Sequence, residues 1–306
     1  MRYRVLYGSY MKRIVSLVVG ITAAAAVVAQ QPLTPTQYSD VRTPQNAAES
    51  LMEPEGGISM LGRRQWVGLE GAPTVYWGSG HVGFRSFGAT AGVNLRHEIL
   101  AVEELTEVSV FFAKSVRISE TEHLGLSLSA GFSYLDGRFS QLDPQDGAFR
   151  EDVRETDALM GFGVVLYRPD RYYVGLSLPR LMLGSLGVGS DSRYHFRNIY
   201  HLTAGAVFGS GGDFQFRPSL LVTYSESLRP QAEVSAMFFA RHAVGLGINI
   251  RSYNGLAGLA RINVKRFGIG YSYLFGARNE GLSRGINNNT HEIGLNYRFG
   301  DVPSLL

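Results

Sequence analysis

The chain has 306 residues, 45% of them hydrophobic, with a formal net charge of +3 and no cysteine. That hydrophobic share excludes wholesale disorder. The missing thiols exclude disulfide scaffolds, thiolate metal sites, thiol nucleophiles and a lipid-modified cysteine anchor.

The first 29 residues read as a secretory signal. Lys12 and Arg13 form a charged region, Ile14 to Val28 an apolar one, and Val27-Val28-Ala29 a small-residue cleavage site before Gln30. Met11 is a candidate true start. The apolar stretch is short for a transmembrane anchor and ends in a cleavage pattern. Residues 1–29 hold four basic residues (Arg2, Arg4, Lys12, Arg13) and no acid; without them 25 basic residues face 26 acidic ones, a net charge of −1. The basic character belongs to the signal, so charge gives no support for nucleic-acid binding. Residues 30–55 contain Pro32, Pro35, Pro44 and Pro54 and no sustained period. They read as an extended periplasmic N-terminal segment outside the main fold, either disordered or lying against the body of the protein.

From Gly56 onward the pattern is alternation, with no convincing helical period. In Thr290–Phe299 the residues His291, Ile293, Leu295, Tyr297 and Phe299 share one face, and Thr290, Glu292, Gly294, Asn296 and Arg298 the other. In Arg266–Gly276 the face Phe267, Ile269, Tyr271, Tyr273 and Phe275 opposes Gly268, Gly270, Ser272 and Leu274. In Gly255–Arg266, Leu256, Ala260, Ile262 and Val264 oppose Arg261, Asn263 and Lys265. A sandwich would also alternate. Broad apolar faces set against Gly, Ser, Asn, Lys and Arg, segments near ten residues long and aromatics toward strand ends point instead to a membrane barrel. The 37 glycines, 17 phenylalanines and 16 tyrosines suit such a wall.

The predicted fold is therefore all-β, a transmembrane antiparallel β-barrel of about 14 strands over residues 56–300, with a short tail at 301–306. Turn signals place strands at 56–69, 72–83, 86–97, 104–117, 121–135, 158–169, 171–180, 193–209, 213–225, 229–240, 241–252, 255–266, 267–276 and 289–299. The long connections, 136–157, 181–192 and 277–288, follow the fifth, seventh and thirteenth strands and so share one side. Short periplasmic turns, longer outer loops and two periplasmic barrel termini follow.

The most unusual local text is Arg63-Arg64-Gln65-Trp66-Val67-Gly68, ending at Gly71-Ala72-Pro73. Neighbouring strand residues point to opposite faces, so Arg63 and Arg64 cannot share one environment. With Ile58 and Met60 toward lipid, Arg64 and Trp66 share that face while Arg63 and Gln65 look into the lumen. Trp66 then sits at the outer girdle beside a snorkelling Arg64, and Glu70-Gly71 makes the turn into the second strand.

Signals of chemistry are weak. Gly281-Leu282-Ser283-Arg284-Gly285 matches a nucleophile elbow formally but sits in a Gly/Asn loop, not a strand–turn–helix. Ser283 with His291 is a nominal hydrolase pair that nothing singles out. His195 and His201 fall on one predicted strand with opposite parity, against zinc spacing. The pairs Gly161/Gly163, Gly245/Gly247 and Gly268/Gly270 lie on strands and mark close backbone approach, not phosphate loops. Loop 136–157 carries seven acids and three arginines without calcium-loop spacing, and reads as a solvated outer loop. No catalytic, metal or cofactor site is predicted.

The signal ending in Ala-Gln-Gln, then Gln37-Tyr38, then Gly62-Arg63-Arg64-Gln65-Trp66-Val67-Gly68 with Gly71-Ala72-Pro73, resembles the PorP/SprF family of outer-membrane proteins. Tyr172-Tyr173-Val174-Gly175-Leu176-Ser177-Leu178-Pro179, Phe216-Arg217-Pro218-Ser219 and Thr290-His291-Glu292-Ile293 continue the likeness in family order. One departure is Thr43-Pro44-Gln45-Asn46-Ala47-Ala48, where the family has an Asn-Pro-Ala-Tyr-like segment. The resemblance implies an outer-membrane barrel of Bacteroidota that assists type IX secretion and gliding motility. Its implied surroundings are outer-membrane lipid, periplasmic ring components and exported surface proteins, with no enzyme activity and no cofactor. The rival reading is a pore or transporter for small or hydrophobic solutes. Lumen-facing Arg251, Arg261, Lys265 and Arg298 suit an anion-leaning channel or a plugged, salt-bridged interior equally.

Overall fold

In the computed structural model, the described residues are 34–142, 151–182, 198–225, 229–252, 255–275 and 289–300. From Gly56 the chain forms fourteen antiparallel strands: β1 Gly56–Arg64, β2 Thr74–Phe84, β3 Ala89–Leu100, β4 Glu103–Arg117, β5 His123–Gly137, β6 Val153–Arg168 and β7 Tyr172–Met182. The second half is β8 Ile199–Ala206, β9 Phe214–Ser225, β10 Gln231–Ala240, β11 Val244–Arg251, β12 Gly255–Val264, β13 Phe267–Phe275 and β14 Thr290–Arg298. Each strand pairs with its sequence neighbours, and β1 closes the barrel on β14, from Gly57 opposite Arg298 to Arg64 opposite His291. Closure removes the free edges that an open sheet would leave unpaired.

The period-two pattern sorts the side chains as expected. On β11, Val244, Leu246, Ile248 and Ile250 are exposed outward, Leu246 at 64% of its surface. Asn249 and Arg251 on the same strand are buried inside. Similar outward rows occur on β2, β5, β12 and β13, from Tyr76 and Val82 to Phe267, Ile269 and Tyr271. So large a continuous apolar exterior does not persist in water, and it is the surface a hydrocarbon phase solvates. No helix among the described residues is long and apolar enough to cross a membrane; the strands do the crossing.

Three local expectations are corrected. β1 stops at Arg64, not residue 69: the Gln65 N–H bonds to the Pro73 carbonyl at 2.9 Å. Trp66, Gly68 and Gly71 then take positive φ of 46°, 102° and 71°. The connection is thus a compact turn over 65–73, not a two-residue turn at Glu70-Gly71, because left-handed residues cannot continue a pleated strand. β5 runs to Gly137 and β6 starts at Val153, so the ends of the acidic stretch 136–157 belong to the wall. On β7 the register slips between Ser177 and Arg180, where Pro179 has no N–H to offer the ladder.

A larger correction concerns the segment before Gly56. Residues 34–52 lie inside the barrel: Thr34, Thr36, Gln37, Tyr38, Val41 and Asn46 are buried, as is the 3-10 helix Ala47–Met52 throughout. The segment lacks a period because its polar groups are satisfied partly by its own short turns and partly by the barrel wall, not by a regular ladder.

The connections after β5, β7 and β13 are the longest, and all leave the same rim. Gly56 and Arg298 lie at the opposite, short-turn rim.

The outward face carries a direct test. Ile248→Arg, in the middle of β11, should destabilise the barrel by about 2–4 kcal/mol in lipid vesicles, read from urea unfolding. Arg64→Ala, near the rim, should change stability by less than about 1 kcal/mol.

Candidate functional site: a lumen filled by its own N-terminal segment

The described part of the plug begins near the long-connection rim, where Thr34–Gln37 meets two carboxylates and two guanidiniums. Glu292 on β14 accepts from the Thr36 N–H (2.8 and 2.9 Å to its two oxygens) and from the Gln37 N–H (3.2 Å). Arg63, one residue from the end of β1, donates to Glu292 Oε1 at 3.0 Å and to the Thr34 carbonyl. Arg251 at the end of β11 donates to the same carbonyl at 3.0 Å and pairs with Glu233 at 2.8 Å. The Thr34 hydroxyl donates to Glu233. Side-chain exposure is 2% for Arg63 and 1% for both Glu292 and Glu233. Two positive and two negative charges thus neutralise one another around the plug backbone, the condition under which buried charge is tolerated.

Deeper in the lumen the plug needs clearance, which glycines supply. A Cβ on Gly270 would stand 2.1 Å from Gln37 Oε1, and one on Gly294 3.1 Å from it. Asn46 fits against Gly163 and Gly175, where a Cβ would stand 2.2 and 2.7 Å from its side chain. Its amide donates to the Val164 carbonyl at 3.0 Å. Gly245 and Gly247 are different: they make room for the lumen-facing Phe239 and Met237.

Toward the short-turn rim the contacts become apolar. Ala48, Leu51 and Met52 pack with Ala113, Val165, Tyr167, Tyr173 and Val207; a second apolar cluster, nearer the clasp, joins Val41 to Leu61, Val75 and Trp77. The segment ends with Glu53 bonded to Arg298 at 3.1 Å, and Asp40 pairs with Arg261. All fourteen strands touch the plug. Beyond those already named these include β2 through His81, β3 through Thr90, β7 through Ser177, β8 through Thr203 and β9 through Ser219; β5 does so through Gly125. A cavity of about 100 Å³ remains on the long-connection side, with Arg96, Glu107, Arg180 and His201 in its wall. Glu107 holds Arg180 at 2.7 Å and Arg96 at 3.2 Å.

Two plug carboxyls titrate abnormally. Burial pushes Glu49 up to about 7, against smaller opposing effects of the Thr203 hydroxyl and Arg42. For Glu53, burial acts in the same direction, but Arg298, Arg42 and His81 outweigh it and hold the group below its ordinary value.

The motif residues divide by face. Arg63, Gln65, Tyr173, Gly175 and Glu292 point inward. Arg63 and Glu292 clasp the plug, Gln65 with its amide oxygen turned inward accepts from Arg63 at 2.6 and 3.1 Å, and Tyr173 lies 5.5 Å beneath the Arg42 guanidinium. Arg64, Trp66, Val67, Gly68 and Gly71 are on the outside, and Pro73 closes their turn. Tyr172 reaches Glu122 at the short-turn rim, and His291 faces outward onto the Tyr271 hydroxyl at 2.8 Å. His201 is in the lumen, 3.0 Å from the Thr223 hydroxyl. Ser283, His195, residues 143–150 of the acidic loop, the signal and the C-terminal tail lie outside the described residues. Among the described residues no three His, Asp or Glu side chains gather as a metal site.

The plug residues themselves escaped the sequence reading. A usable signal existed: strands bearing inward Arg63, Arg251, Arg261 and Arg298 need carboxylates, and Asp40, Glu49 and Glu53 precede them in the chain.

A closed wall with an apolar exterior and a charged lumen filled by the chain's own segment defines an outer-membrane β-barrel protein with an internal plug. The profile of the type IX secretion system membrane protein PorP/SprF family matches residues 27–297, and the chain belongs to that family. Among solved structures it is similar to the Acinetobacter baumannii outer membrane protein Omp33, at 9% identity over 81% of this chain and 99% of that one, with a TM-score of 0.47. The P. putida toluene transporter TodX gives 10% identity over 83% and 92%, with a TM-score of 0.47. The Ralstonia pickettii toluene transporter TbuX gives 10% over 85% and 94%, with a TM-score of 0.44. No curated protein matches the chain.

Two predictions follow from the clasp and the plug carboxyl. Glu292→Ala strands a buried guanidinium and should weaken plug docking by about 3–5 kcal/mol, seen as new trypsin cleavage after Arg42. The Arg63→Ala/Glu292→Ala double variant should lose less than the sum of the single changes. Glu49 binds its proton more tightly when docked than when free. Its docking is therefore most favourable below pH 4.5, the ordinary value, and weakens by about 3 kcal/mol as pH rises to about 7. Hydrogen exchange across residues 47–52 should follow that course, and Glu49→Gln should flatten it.

Proposed function

We propose that this barrel is an accessory component of type IX protein secretion that holds exported surface proteins, gliding-type adhesins among them, at the outer membrane. The observation that carries this reading is the plug: residues 34–55 contact every strand and bury two ion pairs, an arrangement suited to a binding platform more than to a conduit. The short-turn rim faces the periplasm and its ring components, and the longer connections face the exported cargo. In this orientation Gly56 and Arg298 are periplasmic while Thr34 lies at the outer end of the lumen, so residues 34–52 lie within the barrel and not in the periplasm.

Deleting the gene should abolish surface display of the cargo while leaving bulk outer-membrane assembly intact; unchanged display would sink the proposal. The pore alternative makes the opposite demand on the lumen. In planar bilayers the intact chain should give no steady conductance, and a chain lacking residues 34–52 should give open-channel steps. Steady conductance from the intact chain would favour the solute pore.

A further inference from the structure

At the short-turn rim, between the ends of β9 to β14, lies a pocket of about 260 Å³ that the plug does not fill. Arg217, Arg241, His242, Arg261 and Lys265 line it, and among the described residues no carboxylate does. The arginine heads are placed by the fold. Arg217 stacks over the Phe239 ring at 4.3 Å and donates to Gln215 at 2.7 Å. Arg261 donates to Asn263 at 2.9 Å, and Asn263 in turn donates to the His242 carbonyl at 2.9 Å. Arg241 and Lys265 are the exposed tips of the turns between β10 and β11 and between β12 and β13, both at positive φ. Packed inner guanidiniums with exposed cations at the mouth form a funnel for negative charge.

The neighbouring plug shows what this wall grips. Asp40 reaches Arg261, and Glu53 reaches Arg298: each is a carboxylate on a turn-forming stretch of polypeptide outside the strands. Arg217 and Arg261 point into the lumen, where lipid chains outside the wall cannot follow. We infer that this pocket binds an acidic peptide segment of a partner protein, its clustered Asp or Glu side chains entering among Arg217, Arg241, Arg261 and Lys265. The site deepens the secretion reading by giving the short-turn rim a chemistry for its partner, and it rests on that reading only for the partner's compartment.

The test uses the purified full-length barrel in detergent and a fluorescein-labelled pentaglutamate peptide, followed by anisotropy. Binding should be saturable, absent for pentaglutamine, and at least about tenfold weaker when salt is raised from about 50 to about 300 mM. Arg241→Asn/Lys265→Asn should also weaken it at least about tenfold; asparagine tolerates the left-handed backbone at both turns. Unfolding in urea checks that the variant barrel is intact. Equal binding by wild type and variant would overturn the proposal. So would displacement by inorganic phosphate at concentrations matching the peptide, which marks a free-oxyanion site. A chain ending at Gly300 that binds when the full chain does not would also overturn it, with the tail as occupant. Because binding is read on the purified barrel, its loss strikes this site alone, and normal cargo display after gene deletion strikes the secretion reading alone.

Discussion

Buried charge in the lumen governs this molecule. A closed wall of fourteen strands encloses more space than its inward side chains fill, unlike an eight-stranded barrel, yet it is narrower than the porins that leave a water channel. Inward arginines and glutamates in such a space need water or partners, and here they have partners. Glu292 and Glu233 accept from plug groups, Arg63 and Arg251 donate to the Thr34 carbonyl, and the two pairs cancel each other's charge. The plug in turn has no ladder of its own, so its backbone depends on these side chains as much as they depend on it. Wall and plug are one hydrogen-bonded object.

The same dependence explains how the motif stretches are used. Each places two neighbouring residues on opposite faces: Arg63 and Arg64 on β1, His291 and Glu292 on β14, Tyr172 and Tyr173 on β7. The inward member of each pair contacts the plug or its immediate surround, and the outward member meets the membrane side or a rim. The glycines follow a parallel rule, since Gly163, Gly175, Gly270 and Gly294 clear space for Asn46 and Gln37. The inward half of the motif therefore meets the plug or its immediate surround. The outward half, Arg64 and Trp66 with their turn, is the part available to lipid or to a neighbouring protein.

The two rims of the barrel differ in kind. One carries the three longest connections and the clasp that begins the plug. The other carries tight turns, both barrel ends and the unfilled basic pocket. A barrel so polarised suits a protein that belongs to a secretion machinery, with one chemistry offered on each side of the membrane. Arg261 and Arg298 line the pocket and also hold plug carboxylates, so an acidic segment at the rim would find a wall already adapted to such a ligand.

How much of this was legible in the chain depends on the range of the interaction involved. Barrel class and the splitting of Arg63 from Arg64 come from period-two alternation, and the strand number from turn signals between the alternating runs; both are local, since a residue's face is set by its neighbours two positions away. Turn chemistry was less readable, and β1 ended at Arg64 because of left-handed backbone at Trp66 that no alternation pattern encodes. The plug was not legible as such. Its aperiodic, proline-bearing text looks like any linker, and its partners are remote: Thr36 and Glu292 are 256 residues apart, and Arg63 and Glu292 are 229 apart. Sequence by itself determined a wall with a lipid face and a charged inner face. Only closure of β1 on β14 brought Arg63 beside Glu292, and so decided that the charged lumen would be filled by the chain's own beginning.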